Sequence, residues 1–381
     1  MRVLVAIPYF APAYAFGGSV TVAETIVAGM LAAGHRVTVL TTDVGDERRR
    51  LPADTPAVPP GAEVVRLLNV SHRLAAGANV YLPRGARRWL AEHVAGFDVV
   101  LLQDLYSAVS VWAARAAERA GVPYVLQAHG TASPARERGR SVAKQAFLRL
   151  WGRRTIERAT AVLHATAHEG EDYRRLGVDD GRLTWVGQPL DLSPPTGSGK
   201  AAEPTVAYVG RLHPIKGVES LIGVVAAARR QVPGVRLEIV GSGAERYVES
   251  LERLGRRRLG EAVRFHGFVA APQRTMAYER AHVAAVLSRS EGLPMVALEA
   301  MSCGTPVLLS EGCHFPEAHD RAGLVAPDDE GARAAALIRM LTDDALRERL
   351  GAGARELARD FRPDAVMPRI LAALERAAGR G

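Results

Sequence analysis

Apolar residues along this chain come in short runs separated by segments with helical spacing. RVLVAI (2–7) is a strand-length run, and SVTVAETIVAGMLAAG (19–34) places Val20, Ala23, Val27, Met30 and Leu31 on one helical face. Gly34 stands where a helix C-cap would, and HRVTVLTT (35–42) reads as the next strand. DVVLLQ, VPYVLQAH and AVLHAT continue the strand series, with alanine- and arginine-rich helical stretches between them. Strands that alternate with helices predict a mostly parallel sheet covered on both faces.

The pattern breaks near residue 190, where LDLSPPTGSGKAAEP is rich in Pro, Gly and Ser and reads as a linker. A second alternation follows: TVAYVG, VESLIGVVAAARRQV, VRLEIVG, a basic helix, then AVRFHGF. The expected architecture is α/β, with two Rossmann-like domains facing a central cleft. The boundaries are 1–192 for the first domain, joined by a C-terminal helix at about 364–381, and 193–363 for the second. Ligands of open parallel sheets bind beyond the carboxyl ends of the strands, so chemistry is sought just after each strand.

Two glycine clusters imitate phosphate loops. Gly197-Ser-Gly-Lys200 lacks the glycine and the Ser or Thr that the motif needs, since Pro194 and Ala201 hold those positions. Gly241-Ser-Gly243 follows a strand, but Arg246 stands where G-x-G-x-x-G has its third glycine. A tight turn and a role near a nucleotide remain equally open there.

Composition changes this picture little. With 381 residues, 48% hydrophobic and 24% charged, the chain is long enough for two cores and ordinary for a globular protein. Cys303 and Cys313 are too few for a disulfide framework and fit a cytoplasmic location. The opening MRVLVAIPYFAPAYA imitates a secretion signal, but Pro8 and Pro12 interrupt it and its first half is strand-like. No apolar stretch is long enough to span a membrane. Charge is more informative: segment 135–158 holds eight bases against two acids and accounts for +6 of the net +8. Such local charge argues against general nucleic-acid binding. Mixed with Phe147, Leu148, Leu150, Trp151 and Ile156, it suits peripheral contact with an anionic membrane; an ordinary helix with a solvated arginine face is the alternative.

Two segments carry chemistry. In SEGLPMVALEAMSCGTPVL, Glu291 and Glu299 are eight apart, two turns if helical, and so share a face; Gly292 and Pro294 put Glu291 in the preceding loop. Met295, Val296, Leu298 and Met301 surround Glu299 in sequence, a costly setting for a carboxylate without a partner. In VAYVGRLHPIKG, Arg211 and Lys216 lie between a strand and a helix N-terminus, where free N–H groups and the helix dipole add to their charge as an anion site.

The first of these resembles the E-x7-E signature, and the second the G-R-x-x-x-x-K-G pattern, of the retaining GT-B glycosyltransferases of family 4, the glycosyl transferases group 1. The resemblance implies a fold of two Rossmann-like domains whose closing helix crosses back to the N-terminal domain. It implies transfer of a sugar from a nucleotide diphosphate, UDP- or GDP-linked, to an acceptor hydroxyl. Glu291, with Gly292 and Leu293, would hold the donor sugar, Glu299 the ribose, and Arg211 and Lys216 the diphosphate. Many members have Phe-Gly where this chain has Leu293 and Pro294.

In the first half, Gly17, Gly18 and Ser19 match the family's Gly-Gly loop near donor phosphate and acceptor, and His129 the histidine that meets the donor sugar. Phe268 and Val269, read as the end of a strand, would contact the base. No cofactor is expected. With no Asp-x-Asp triplet in the chain, neither is a metal, because Arg211 and Lys216 can neutralise the diphosphate. The Cys313-His-Phe-Pro-Glu317 stretch resembles envelope-polysaccharide members, which points to polysaccharide or glycolipid assembly on a sugar-containing, lipid-linked acceptor at the cytoplasmic membrane face. A natural-product glycosyltransferase with a soluble acceptor, a sugar-nucleotide epimerase and a non-catalytic nucleotide-sugar binder are the alternatives.

Overall fold

Strand β1 (Arg2–Ala6) is buried from Val3 onward, as an apolar run covered on both faces should be. The computed structural model describes all residues except 47–48, 53, 79, 131–144, 193–194 and 381. It divides into two compact units, Met1–Leu190 with Pro363–Gly381, and Asp191–Arg362.

Unit 1 carries β1, β2 (Arg36–Thr42), β3 (Glu63–Leu67), β4 (Val99–Leu102), β5 (Tyr124–Gln127), β6 (Ala161–His164) and β7 (Leu183–Trp185). They form a parallel sheet in the order β3-β2-β1-β4-β5-β6-β7. The strand order reverses between β1 and β4, and loops leaving the carboxyl ends of those strands part there to leave room for a ligand.

The C-terminal helix Pro363–Ala377 belongs to this unit through specific packing. Gly29, on the helix Gly18–Ala32, faces Met367, whose Cε lies 2.7 Å from where a Cβ on residue 29 would be. Arg369 stacks over Trp185 at 4.2 Å, and Arg380 reaches Asp98 at 2.9 Å. Ile26, Val27, Met30 and Ile370 are fully buried, each contributing about 1.5–3 kcal/mol by leaving water.

Unit 2 carries β8 (Thr205–Val209), β9 (Arg236–Val240), β10 (Val263–Phe265), β11 (Val283–Val286), β12 (Val307–Ser310) and β13 (Gly323–Ala326). The parallel order is β10-β9-β8-β11-β12-β13, so the switch point falls between β8 and β11. Both β8 and β11 are buried throughout. The expected two-domain α/β class is thus observed, each unit a Rossmann-like sheet with its own core.

Two sequence readings need revision. The proposed linker docks on unit 2: the amides of Thr196, Gly197 and Ser198 donate to the Glu279 carboxylate at 2.7, 3.1 and 3.1 Å. Lys200 Nζ donates to the carbonyl of Ala281 at 2.6 Å and to Thr305 Oγ1 at 3.0 Å. The phosphate-loop imitation therefore cradles an anion, but that anion is the chain's own carboxylate. Burial alone would raise the Glu279 pKa; hydrogen bonds from Thr196, Ser198 and Gly197 outweigh it and hold the pKa below the ordinary range. The second revision concerns AVRFHGF, whose strand ends at Phe265, leaving Phe268 and Val269 in the following loop.

Candidate active site

The site in unit 2 is assembled from loops that leave β8, β11 and β12. After β8 the chain runs alongside the segment leaving β9: Leu212 N–H donates to the carbonyl of Ser242 at 2.8 Å. A Cβ on Gly241 would lie 1.8 Å from the carbonyl oxygen of Gly210, and one on Gly243 2.1 Å from that of Leu212. Close approach of two backbones explains why glycine occupies both positions.

Residues Pro214–Lys216 then form one helical turn, capped by His213 Nδ1, which accepts from Ile215 N–H at 3.2 Å. Gly217 follows at φ 69° and starts the helix Val218–Ala228. A Cβ there would sit 2.1 Å from the carbonyl oxygen of Leu287, so the loops after β8 and β11 meet at a position only glycine fits. Arg289 N–H donates to the carbonyl of Ile215 at 2.8 Å and ties the same two loops.

This clamp brings Lys216 and Glu291 together. Lys216 Nζ lies 2.5 Å from Glu291 Oε1, which also accepts from Ser288 Oγ at 2.6 Å. Glu291 is buried, while the Lys216 side chain keeps 22% of its exposure. The Glu291 loop is held from the far side: its N–H donates to the carbonyl of Gly312 at 2.8 Å, and Ser310 Oγ to that of Ser288 at 2.5 Å. Cys313 Sγ donates to the carbonyl of Val286 at 3.1 Å. Both cysteines are free and buried, and burial pushes each thiol up to about 11. Phe315, in the stretch singled out beside Cys313, is core, with its ring edge-on to Phe361.

Arg211 is exposed, and among the described residues its side chain makes no ion pair or hydrogen bond; its carbonyl accepts from Tyr208 Oη at 2.9 Å. One guanidinium open to solvent stands on the same loop as an ammonium bonded to a buried carboxylate.

Glu299 sits within the helix Met295–Ser302 and Glu291 precedes it, so the argument that both share a helical face does not apply. The surroundings of Glu299 are also less apolar than its sequence neighbours imply. It is half-buried, accepts from Tyr278 Oη at 3.1 Å and faces Arg274 Nε at 3.7 Å, both on the helix Ala271–Arg280. Burial, with Glu299 beside it, raises the Tyr278 phenol far above its usual value. Gly292 and Leu293 are half-buried in the loop before the helix.

Phe268 is 78% exposed. Val269 lines a pocket of about 480 Å³ over β9 and β10, with Glu238, Val240, His266 and Met276. Arg211, Lys216, Glu291 and Glu299 do not line that pocket, so its volume does not mark their site.

In unit 1 the named residues likewise follow strands. Gly17 has φ 85° and precedes the helix that begins Gly18-Ser19, with no side-chain cap and no acid in its first turn. His129, just beyond β5, has φ 51°, a left-handed conformation unusual for a residue with a side chain. Its Nε2 pairs with Gln103 Oε1 at 2.5 Å, and Gln188 Nε2 lies 3.5 Å from its Nδ1. Gln103 Nε2 in turn donates to Gln127 Oε1 at 2.9 Å. This pattern makes Nε2 the protonated nitrogen of a neutral ring. Desolvation lowers the His129 pKa to about 4, although the residue as a whole is only half-buried. Glu169, buried, holds the next turn by accepting from the N–H groups of Gly130 and Ala165 at 2.6 and 2.8 Å.

Gln103, Gln188, Glu169, Ser288, Arg274 and Tyr278 were not read from the sequence. Gln103 did end a strand-like run, which is the signal that could have found it. Of the basic segment 135–158, residues 135–144 lie outside the described residues. In the described remainder Leu150 and Trp151 are exposed beside Arg149. Arg153 and Arg154 pair with Glu157 and Glu118 at 2.7 and 2.8 Å. No described helix is long and apolar enough to cross a membrane.

Two such sheets, with loops clamped beyond their switch points, define the GT-B class of architecture. Family models agree: "Glycosyl transferase 4-like domain" matches residues 17–188 and "Glycosyl transferases group 1" matches 203–343. The chain belongs to the group 1, or family 4, glycosyltransferases. It is 30% identical to a D-inositol 3-phosphate glycosyltransferase of Actinosynnema mirum over 390 aligned positions, covering 90% of this chain and 92% of that one. A GDP-mannose-dependent alpha-(1-6)-phosphatidylinositol monomannoside mannosyltransferase of Mycobacterium tuberculosis is 34% identical over 164 positions, 40% of this chain and 42% of the relative. Anabaena HepE, solved in complex with UDP, superimposes with a TM-score of 0.77 at 20% identity, over 99% of this chain and all of that one.

Proposed function

We propose that this glycosyltransferase moves a sugar from a nucleoside-diphosphate sugar to an acceptor hydroxyl with retention at the anomeric carbon, independently of a divalent metal. The observation that carries the reading is the Lys216–Glu291 contact, which joins the loops after β8 and β11 at the switch point of unit 2. In this reading Arg211 and Lys216 take the diphosphate, Glu291 orients hydroxyls of the donor sugar and Glu299 accepts from the ribose.

As the bond from the anomeric carbon to the β-phosphate oxygen breaks, negative charge grows on the leaving diphosphate, where two fixed cations stabilise it most. The acceptor oxygen bonds to the same face of that carbon, and its proton passes to the departing phosphate. Unit 1 supplies the acceptor side through the Gly17-Gly18-Ser19 helix start and His129. A neutral imidazole pinned by Gln103 serves there as a hydrogen-bonding group rather than a cation.

The acceptor class we infer is a sugar or polyol in cell-envelope glycolipid or polysaccharide assembly, lipid-linked and met at the cytoplasmic face of a membrane. Support for a polyol comes from the inositol 3-phosphate in one relative's name, and for a lipid link from the phosphatidylinositol in the other's and from exposed Leu150 and Trp151 beside Arg149. The test supplies UDP- and GDP-sugars with inositol 3-phosphate, and with phosphatidylinositol vesicles, in EDTA, and reads the new linkage by NMR. A product with the donor's anomeric configuration supports the proposal. An inverted product, transfer only with added metal, or isomerised donor without acceptor would refute it.

A further inference from the structure

We propose that the groove between the helices Ala86–His93 and Ala108–Ala120 of unit 1 is a second anion site, built for a phosphate group and independent of the donor residues of unit 2. The two helices pack side by side and enclose a pocket of about 420 Å³, within the range of small-molecule sites. Ala91, Ala116 and Ala120 also line it, and these small side chains leave space that larger ones would fill.

Three arginines line it, Arg87, Arg115 and Arg119, and among the described residues no Asp or Glu does. Arg87 stacks over the Trp112 ring at 4.6 Å, which fixes one wall. Among the described residues none of the three makes an ion pair or a side-chain hydrogen bond.

Neighbouring arginines behave differently. Arg88 pairs with Glu92 at 2.7 Å, and Glu118, the acid of the second helix, turns away to Arg154 at 2.8 Å. Arg115 and Arg119 are four apart on one helix, an arrangement that destabilises a helix unless something neutralises it. The C-terminal dipole of that helix accounts for Arg119 in its last turn. It does not account for Arg87 or Arg115. Arginine forks that line one groove with no acid among them match the oxygens of a phosphate ester or diphosphate, carried by a soluble molecule or by a lipid headgroup.

The test uses the full chain carrying Arg211→Ala, so that the donor loop is disabled, and titrates inorganic pyrophosphate calorimetrically at low salt. Binding should persist there, and weaken by about tenfold when Arg115→Ala and Arg119→Ala are added. Ala120→Glu, at an exposed position, places a carboxylate in the groove and should weaken binding similarly, should the double substitution impair folding. Vesicles of phosphatidic acid in phosphatidylcholine then separate the sources. Competition between vesicles and pyrophosphate assigns a headgroup, and its absence a soluble phosphate. Pyrophosphate that fails to bind the Arg211→Ala chain, or binds it equally with and without the groove substitutions, overturns the proposal.

Discussion

Replacing Lys216 with Met removes the charge opposite a carboxylate that has lost nearly all contact with water. At 2.5 Å the gross attraction is about 7 kcal/mol for an effective dielectric constant of about 20. Desolvation of the two groups cancels much of that. What remains decisive is the state left behind, in which Glu291 keeps, among the described residues, the hydroxyl of Ser288 as its side-chain partner and its charge stays buried. Breaking a fully buried pair costs about 3–5 kcal/mol. Because Lys216 retains some exposure, we expect about 3 kcal/mol for Lys216→Met, a drop in melting temperature of about 6–12 °C for a unit of this size.

Glu291→Gln should cost less, about 1–2 kcal/mol, since the ammonium it frees can reach water. The double substitution leaves no orphaned charge, so a double-mutant cycle from urea denaturation should give a coupling of about 2 kcal/mol. Salt should change it little, since buried pairs are poorly screened. A coupling below about 0.5 kcal/mol would mean that the pair behaves as an exposed one, and would refute the clamp as described.

Other consequences follow from the same geometry. Gly217→Ala combines a left-handed backbone with a Cβ 2.1 Å from the Leu287 carbonyl oxygen; it should destabilise by at least about 2 kcal/mol and weaken nucleotide binding, measured by denaturation and calorimetry. His129 has its folded pKa lowered to about 4 against 6.5 for the free group, so the unfolded state binds more protons between those values. Its contribution is therefore fully present above about pH 6.5 and is lost as pH falls towards about 4. His129→Asn should lose less stability than the wild type between pH 7 and pH 5, and an equal loss in both would contradict the assignment. Glu279→Ala removes the acceptor for three amides of the docked connection; we expect about 1–3 kcal/mol and faster proteolysis near residue 196.

The alternation of strands and helices in the sequence was enough to give both parallel sheets, because a run buried on both faces has a distinctive composition. What spacing could not supply was partnership. Lys216 and Glu291 are 75 residues apart, and only the strand order reveals that their loops are neighbours. The connection at 190–204 looks like a free linker because Glu279, which holds it, lies 83 residues from Thr196 in an unremarkable helix. For the glycines at 241 and 243 the sequence left a turn and a role near a nucleotide equally open, and it could not show the second backbone packed against them. Gly292 and Pro294 were enough to put Glu291 in the loop and Glu299 in the helix, which starts at Met295, so the shared face that a continuous helix would give does not arise. Gln103 could have been found from its place at the end of a strand-like run, but its pairing with His129, 26 residues on, and the approach of Gln188 could not, since spacing does not reveal which loops meet.

The most direct test of the account is nucleotide binding to unit 2 through Arg211. UDP, GDP, ADP and dTDP would each be titrated into wild type and Arg211→Ala, with and without magnesium, while melting is followed. Ligand at about 100 times its dissociation constant stabilises by about 2.7 kcal/mol. The account predicts a shift of several degrees with at least one nucleotide, unchanged by magnesium and lost in Arg211→Ala, whose own melting is unaltered. No shift with any nucleotide at millimolar concentration, or one that survives the loss of Arg211, would contradict it.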